Sequence, residues 1–125
     1  MTEILRPQTA DDTRDLLAWA VSEQKPLEIV GNGTKRGFGH PVAASHSLDL
    51  SGLSGIVEYE PAELVLTARA ATPISEIEAL LRQSNQQLAF EPPDLGPLYG
   101  AQAERATLGG IVAGNLSGPR RVQTG

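Results

Sequence analysis

Cysteine is absent from the chain, which excludes disulfides, thiolate zinc sites and iron–sulfur ligation within it. Histidine occurs only at His40 and His46, so a metal site, which usually needs three or four ligands, is not expected. Aromatic residues make up 4%, leaving Leu, Ile, Val and Ala to build the core. Positive charge is in deficit: 10 Lys and Arg stand against 15 Asp and Glu, a formal net charge of -5. A general nucleic-acid binder shows a basic surface instead. No apolar run approaches the ~20 residues that cross a bilayer. Met1 to Pro7, with Glu3 ahead of a short apolar pair and no basic start, does not read as a secretory signal. What is left is an acidic chain of ordinary hydrophobic content, 40%. It is compatible with a reducing cytoplasm, and neither a nucleic-acid partner nor direct membrane insertion is expected.

The 125 residues suit one domain or a piece of one. Ile4-Leu5 before Pro7 reads as a short strand. Thr9 is a good N-cap, Asp12 completes a weaker form of capping box, and Leu16, Leu17, Ala20 and Val21 follow at helical spacing. Trp19, beside that stripe, reads as a packing residue. Pro26 ends the helix, and Leu27 to Val30 suits a buried strand. Further strands are expected around Ser47–Leu50, at Ile56–Glu60 and within Leu64–Ala70, where β-branched residues favour extension. Thr72-Pro73 reads as a cap followed by proline at the first helical position, with Ile74, Ile77, Leu80 and Leu81 as the buried face. Leu88 to Phe90 reads as a last strand before the extended Glu91-Pro92-Pro93. The order β-α-β-β-β-β-α-β fits an α+β, mixed α/β fold.

From Gly31 to Gly39 the chain runs GNGTKRGFG, four glycines in nine residues directly after a strand. Gly31 and Gly33 remove side chains that would hold a ligand away, and successive N–H groups in such a turn can cradle an anion. Thr34 adds a hydroxyl, and Lys35 or Arg36 a positive charge. A diphosphate suits such a loop best. A Walker A loop is excluded because no Gly-Lys pair exists. The dinucleotide fingerprint G-x-G-x-x-G fails because Arg36 stands where its third glycine belongs, and Gly37-Phe38-Gly39-His40-Pro41 does not open a helix. Asp49, at a tempting distance for a ribose, then reads as a turn or strand-end residue. Taken alone, the loop reads equally as a plain glycine-rich turn.

A second constellation, Thr107-Leu108-Gly109-Gly110-Ile111-Val112-Ala113-Gly114-Asn115-Leu116-Ser117-Gly118, offers bare backbone at three glycines. A helix capped by Thr107 would aim free N–H groups at an anion, and Asn115 and Ser117 would add directed polar contacts. Tight helix packing through small residues is the competing reading. If both segments converge in space, together they can hold a long dinucleotide.

In order and spacing, GNGTKRGFG, LDLSGL, EYEPAELVLTARAATPISEIEALL, LAFEPPD and ATLGGIVAGNLSGPRR resemble the FAD-binding domain of the vanillyl-alcohol oxidase/p-cresol methylhydroxylase superfamily. Within it, the GTKRGFG loop and the NLSGPRR ending look most like the FAD-binding E subunits of glycolate oxidases. The resemblance covers essentially the whole chain. It implies FAD as cofactor, with Gly31, Asn32, Gly33, Thr34 and Lys35 around the pyrophosphate. Pro93, Thr107, Gly109, Gly110, Ala113, Asn115, Ser117 and Gly118 would lie along the ribityl and isoalloxazine portions. It implies noncovalent binding, because relatives that link flavin use a histidine in or near the first loop, where this chain has Lys35 and Arg36. A first subdomain over roughly 1–60 and the start of a second over 61–125 are implied. So is an incomplete domain, since the family's flavin domain continues beyond the GPRR segment.

The resemblance further implies an oxidoreductase subunit acting with a second flavin subunit and an iron–sulfur subunit on a 2-hydroxy acid such as glycolate. Such a complex would be cytoplasmic, associated with a membrane only through its partners. No catalytic base is assignable, and the fragment alone is not expected to turn over substrate. Two other readings stand beside this one: a noncatalytic scaffold subunit with a vestigial flavin site, and a module for another diphosphate nucleotide. His46 reads as a solvated loop residue. Glu58 and Glu60 share an exposed strand face, Glu76, Glu78 and Arg82 read as helix-surface charges, and Arg120-Arg121 reads as facing solvent or a partner.

Overall fold

Thr9 opens a helix, as its position predicts. In a computed structural model that describes residues 1–124, β1 (Glu3–Leu5) leads into α1 (Ala10–Ser22). Thr9 Oγ1 accepts from the Asp12 N–H at 3.0 Å, and the Asp12 carboxylate accepts from the Thr9 N–H at 3.0 Å. The capping box is therefore complete rather than weak. Hydrogen bonding with Thr9, and with the Gln8 backbone, holds the Asp12 carboxyl below the usual range. The inward stripe of α1 is the half-buried Thr13 and Leu16 with the buried Ala20, at i, i+3 and i+7. Leu17 and Val21, expected on that face, are exposed, because they lie about 100° round the helix from Leu16 and Ala20. Gln24 ends the turn with φ 52°, the Lys25 N–H returns to the Ala20 carbonyl at 2.8 Å, and Pro26 follows.

β2 (Leu27–Val30) and β3 (His46–Asp49) join β1 in a parallel sheet of order β1-β3-β2. The central strand carries the buried Ser47 and Leu48. β2 is an edge strand, so it is half-buried, with Ile29 exposed, and not the buried strand that its apolar run suggests. His46 belongs to β3 and not to a solvated loop. Its ring meets that of Trp19 edge-on at 5.2 Å, hydrogen-bonds Ser45 Oγ at 2.7 Å and faces Glu3 at 3.4 Å. Asp49 ends the strand, accepting from the Ser51 N–H at 3.0 Å and pairing with Arg6 at 2.8 Å. Burial pushes its carboxyl up, but the bonds from Ser51 and Arg6 outweigh it and leave the group below its ordinary value.

β4 (Ile56–Glu60) and β5 (Val65–Ala68) form a separate antiparallel hairpin. The two sheets therefore divide between Asp49 and Ile56, and a cut near residue 60 would split the hairpin. A register shift between Ile56 and Glu58 marks a bulge, and Glu58 and Glu60 face solvent. α2 (Ile74–Gln83) buries Ile74, Ile77 and Leu81 against Ala106 and Ile111, with Ile56, Tyr59 and Leu66 covering them from the hairpin.

Thr72 does not cap α2; Pro73 holds the N-cap position without a side-chain bond. The fully buried Thr72 hydroxyl instead donates to the Gly55 carbonyl at 3.0 Å and accepts from the Gly55 N–H at 2.9 Å. Thr72→Val leaves both Gly55 groups without this partner in a dry site. It is expected to cost about 1–3 kcal/mol, read as a lower urea midpoint at unchanged m-value.

Leu88 to Phe90, expected as a strand, has no ladder partner among the described residues and runs irregularly. Leu88 and Phe90 still pack on the core; apolar character alone does not make a strand when no neighbour takes up its backbone groups. α3 (Leu108–Ala113) and α4 (Arg121–Thr124) follow in its place.

Candidate functional site

The loop after β2 is shaped by its second glycine. Gly33 sits at φ 70°, a conformation open to glycine at little cost, and the chain turns so that Phe38 N–H reaches the Lys35 carbonyl at 2.9 Å. Among the described residues, the backbone N–H groups of Gly33, Thr34 and Lys35 donate to no other group. Such a run of unspent donors is what an anion needs. Arg36 folds back on β2 and forks onto the Glu28 carboxylate at 2.9 and 2.6 Å. That hydrogen bonding raises the guanidinium pKa further and neutralises the charge. Lys35 stays free of any carboxylate within ion-pair distance among the described residues; its ammonium touches Thr34 Oγ1 at 3.4 Å. Burial pulls the Lys35 pKa down, and the Asp94 charge pushes partly back.

The second arm is seated by the core. The Ile74 N–H donates to the Ala106 carbonyl at 2.8 Å, the Leu108 N–H to Thr72 at 2.9 Å and the Gly109 N–H to Ala70 at 2.7 Å. Gly109 is required by this approach, since a Cβ there would lie 2.9 Å from the Ala70 carbonyl oxygen. Thr107, buried, accepts from the Gly110 N–H at 3.2 Å. The first N–H groups of α3 are thus all taken, which corrects the expectation that this helix start aims free donors at a ligand. The donors come from the first loop instead.

The two arms meet. A Cβ on Gly31 would stand 3.1 Å from Thr107 Oγ1, and one on Gly110 would stand 3.2 Å from Lys35 Nζ. Gly31, Asn32, Gly33, Thr34 and Lys35 line one cleft of about 420 Å³ together with Thr107, Gly110 and Ala113. That volume is within the ~300–1,000 Å³ usual for small-molecule and cofactor sites. Bare backbone on both walls, unspent N–H groups and one unpaired ammonium fit a diphosphate.

Residues 2–125 match the family described as FAD binding domain. The chain belongs to that family. It is also similar to the glycolate oxidase subunit GlcE of Escherichia coli (strain K12), 45% identical over 106 residues that make up 85% of this chain and 28% of that protein. The chain therefore spans little more than a quarter of this curated relative. Among solved structures, an alkyldihydroxyacetonephosphate synthase shares the fold, with a TM-score of 0.64 and 18% identity over 88% of this chain and 20% of that one. FAD is the cofactor that the family's domain binds, and the mixed α/β fold expected from the sequence is the fold of the family.

Other residues singled out in the FAD-binding chain stand apart from the cleft lining. Besides Gly109, Gly118 lies against the Glu91 backbone at φ 73°. The Ser117 carbonyl accepts from the Glu91 N–H at 3.2 Å. Asn115 follows α3 with φ 51° and is exposed. Pro93 lies half-buried before Asp94, which ties the following loop by accepting from Gly96 and Glu104. Arg120 faces solvent, as expected, and pairs there with Glu91 at 3.0 Å. In the other direction, Glu28, Phe38, His40 and Val42 line the cleft without having been singled out for it. The rim of Phe38, His40 and Val42 depends on how the chain folds back after the loop, which residue spacing does not reveal. A second cleft of about 400 Å³, between Glu78, Arg82, Phe90 and Arg120, involves none of the glycine segments.

Proposed function

We propose that this chain is the FAD-binding portion of a subunit in a complex that oxidises a 2-hydroxy acid such as glycolate. The observation that supports this most is the single cleft joining residues 31–35 to Thr107 and Gly110, with the likeness to GlcE indicating the substrate class. In this reading the N–H groups of Gly33, Thr34 and Lys35 and the Lys35 ammonium hold the diphosphate. Gly31, Gly110 and Ala113 keep the walls thin enough for the cofactor to lie close. Pro93, Asn115, Ser117 and Gly118 would border the flavin end beyond the cleft lining. FAD, when bound, supplies acceptance of an electron pair at its isoalloxazine ring; the chain fixes where that ring lies. FAD is held noncovalently. The partners in this reading are a second flavin subunit and an iron–sulfur subunit, in a cytoplasmic assembly that reaches a membrane only through them.

The test has two stages. The purified chain mixed with FAD should retain yellow colour, absorb near ~450 nm and release FAD on denaturation. The assembled complex should then reduce a dye when given glycolate. A chain that takes up no flavin would be the scaffold reading; one that prefers another diphosphate nucleotide would be a module for that ligand; either contradicts the proposal.

Lys35 gives a pH signature. A bound diphosphate raises the ammonium pKa back from its lowered free-state position, so binding and protonation are linked. Affinity is greatest below the free-state pKa, falls as pH rises through it, and levels off above the bound-state value. Lys35→Met should weaken FAD binding about tenfold at neutral pH, and its deficit should shrink toward alkaline pH. Equilibrium titrations across pH check this; a constant ratio between wild type and variant would place the ammonium away from the phosphates.

A further inference from the structure

We propose that Asn32 is a positioning residue whose side chain staples the two arms of the cleft together before cofactor arrives. This rests on the reading of the cleft as the FAD site. The Asn32 amide nitrogen donates to the Arg105 backbone carbonyl at 2.9 Å, and Arg105 Nη2 donates back to the Asn32 amide oxygen at 3.5 Å. Among the described residues, no other side-chain hydrogen bond runs from residues 31–36 to residues 105–114. Elsewhere the arms approach through glycine, Gly31 beside Thr107 and Gly110 beside Lys35, and glycine has no side chain to interdigitate.

The anchor is firm on one side only. Arg105 directly precedes Ala106, which is buried in the core and whose carbonyl accepts from Ile74. The first arm hangs from β2, in a sheet that shares no strand with the hairpin. Asn32 therefore ties a loop of one sheet to the core of the other across 73 positions. Its amide oxygen faces a guanidinium and one of its two N–H groups is spent on a carbonyl, so the amide is directed at Arg105. Without the staple, a smaller fraction of free molecules has both arms in place. A lost ligand contact speeds release, whereas a lost staple lowers the competent fraction and slows capture.

The experiment compares the full chain with Asn32→Ala and Arg105→Ala by two readouts. In FAD-free protein, amide exchange at residues 31–36 and 106–110 should quicken about tenfold in Asn32→Ala. In stopped-flow mixing with FAD, the same variant should lose about tenfold in association rate with dissociation changed less than about twofold. Arg105→Ala keeps the carbonyl and should stay within about twofold of wild type in both. Asn32→Ser, too short to span the gap, should repeat the Asn32→Ala pattern and guards against a folding defect specific to alanine. Unchanged exchange in FAD-free Asn32→Ala and Asn32→Ser would overturn the staple, and faster dissociation at an unaltered association rate would overturn it and make Asn32 a ligand contact. A wild-type chain that takes up no FAD contradicts the flavin reading, and the exchange readout still decides the staple.

Discussion

Gly33→Val is expected to weaken FAD binding roughly a hundredfold while leaving the far-UV circular dichroism of the chain unchanged. Room inside the protein is not the obstacle, since the nearest atoms to a Cβ at this position are Arg36 Cδ at 3.8 Å and Val30 Cγ1 at 3.9 Å. The obstacle is the backbone. At φ 70° a β-branched residue is a strained outlier costing of order 1–3 kcal/mol, and the loop relieves that strain by rotating out of the left-handed region. Rotation redirects the unspent Thr34 and Lys35 N–H groups and breaks up the anion cradle. Gly33→Ala carries less steric conflict and should fall between, with about a tenfold loss. Fluorescence titration of flavin measures both. Wild-type affinity in Gly33→Val would remove the loop from the binding site.

Ile77→Ala should have the opposite profile. Ile77 is 1% exposed and lies with Ile74 and Leu81 on the face of α2 that meets Ala106 and Ile111. Truncation leaves a cavity in the small core that also anchors the second arm, and about 2–5 kcal/mol of stability should be lost. The cleft itself loses no contact. At temperatures where the variant stays folded, its FAD affinity should remain within about twofold of wild type. Saturating FAD should restore part of the lost melting temperature, since a ligand at a hundred times its Kd adds about 2.7 kcal/mol. A Gly33→Val protein that melts normally but binds poorly, beside an Ile77→Ala protein that melts early but binds well, would separate the site from its support.

Where a feature depends on neighbours in sequence, residue pattern was enough to read it. Thr9 and Asp12 make a cap because three residues of helix bring them together, and Ile74, Ile77 and Leu81 share a face for the same reason. The glycine loop was readable because few other compositions permit its turn. What pattern missed depends on distant partners. Leu88 to Phe90 has strand-like composition but no neighbouring strand among the described residues. Leu17 and Val21 have a helical period but lie off the narrow inward stripe. The N–H groups of Leu108 and Gly109 look free in sequence and are spent on Thr72 and Ala70. Arg120 is the surface charge it looks like, but its partner Glu91 is not visible from spacing, and Thr72 looks like a cap until Gly55 takes its hydroxyl. Glycine-rich sequence also hides a division of labour: Gly33 shapes the loop, Gly109 lets two segments close, and Gly31 and Gly110 leave space in the cleft.

Nitrogen-edited NMR of the chain during FAD titration asks whether one cofactor touches both bare stretches. Simultaneous, saturable displacement of the Gly31, Gly33 and Gly110 amide signals, with Gly52 and Gly55 unmoved, is the expected result. Movement confined to one stretch, or none at saturating FAD, would contradict a shared cofactor cleft.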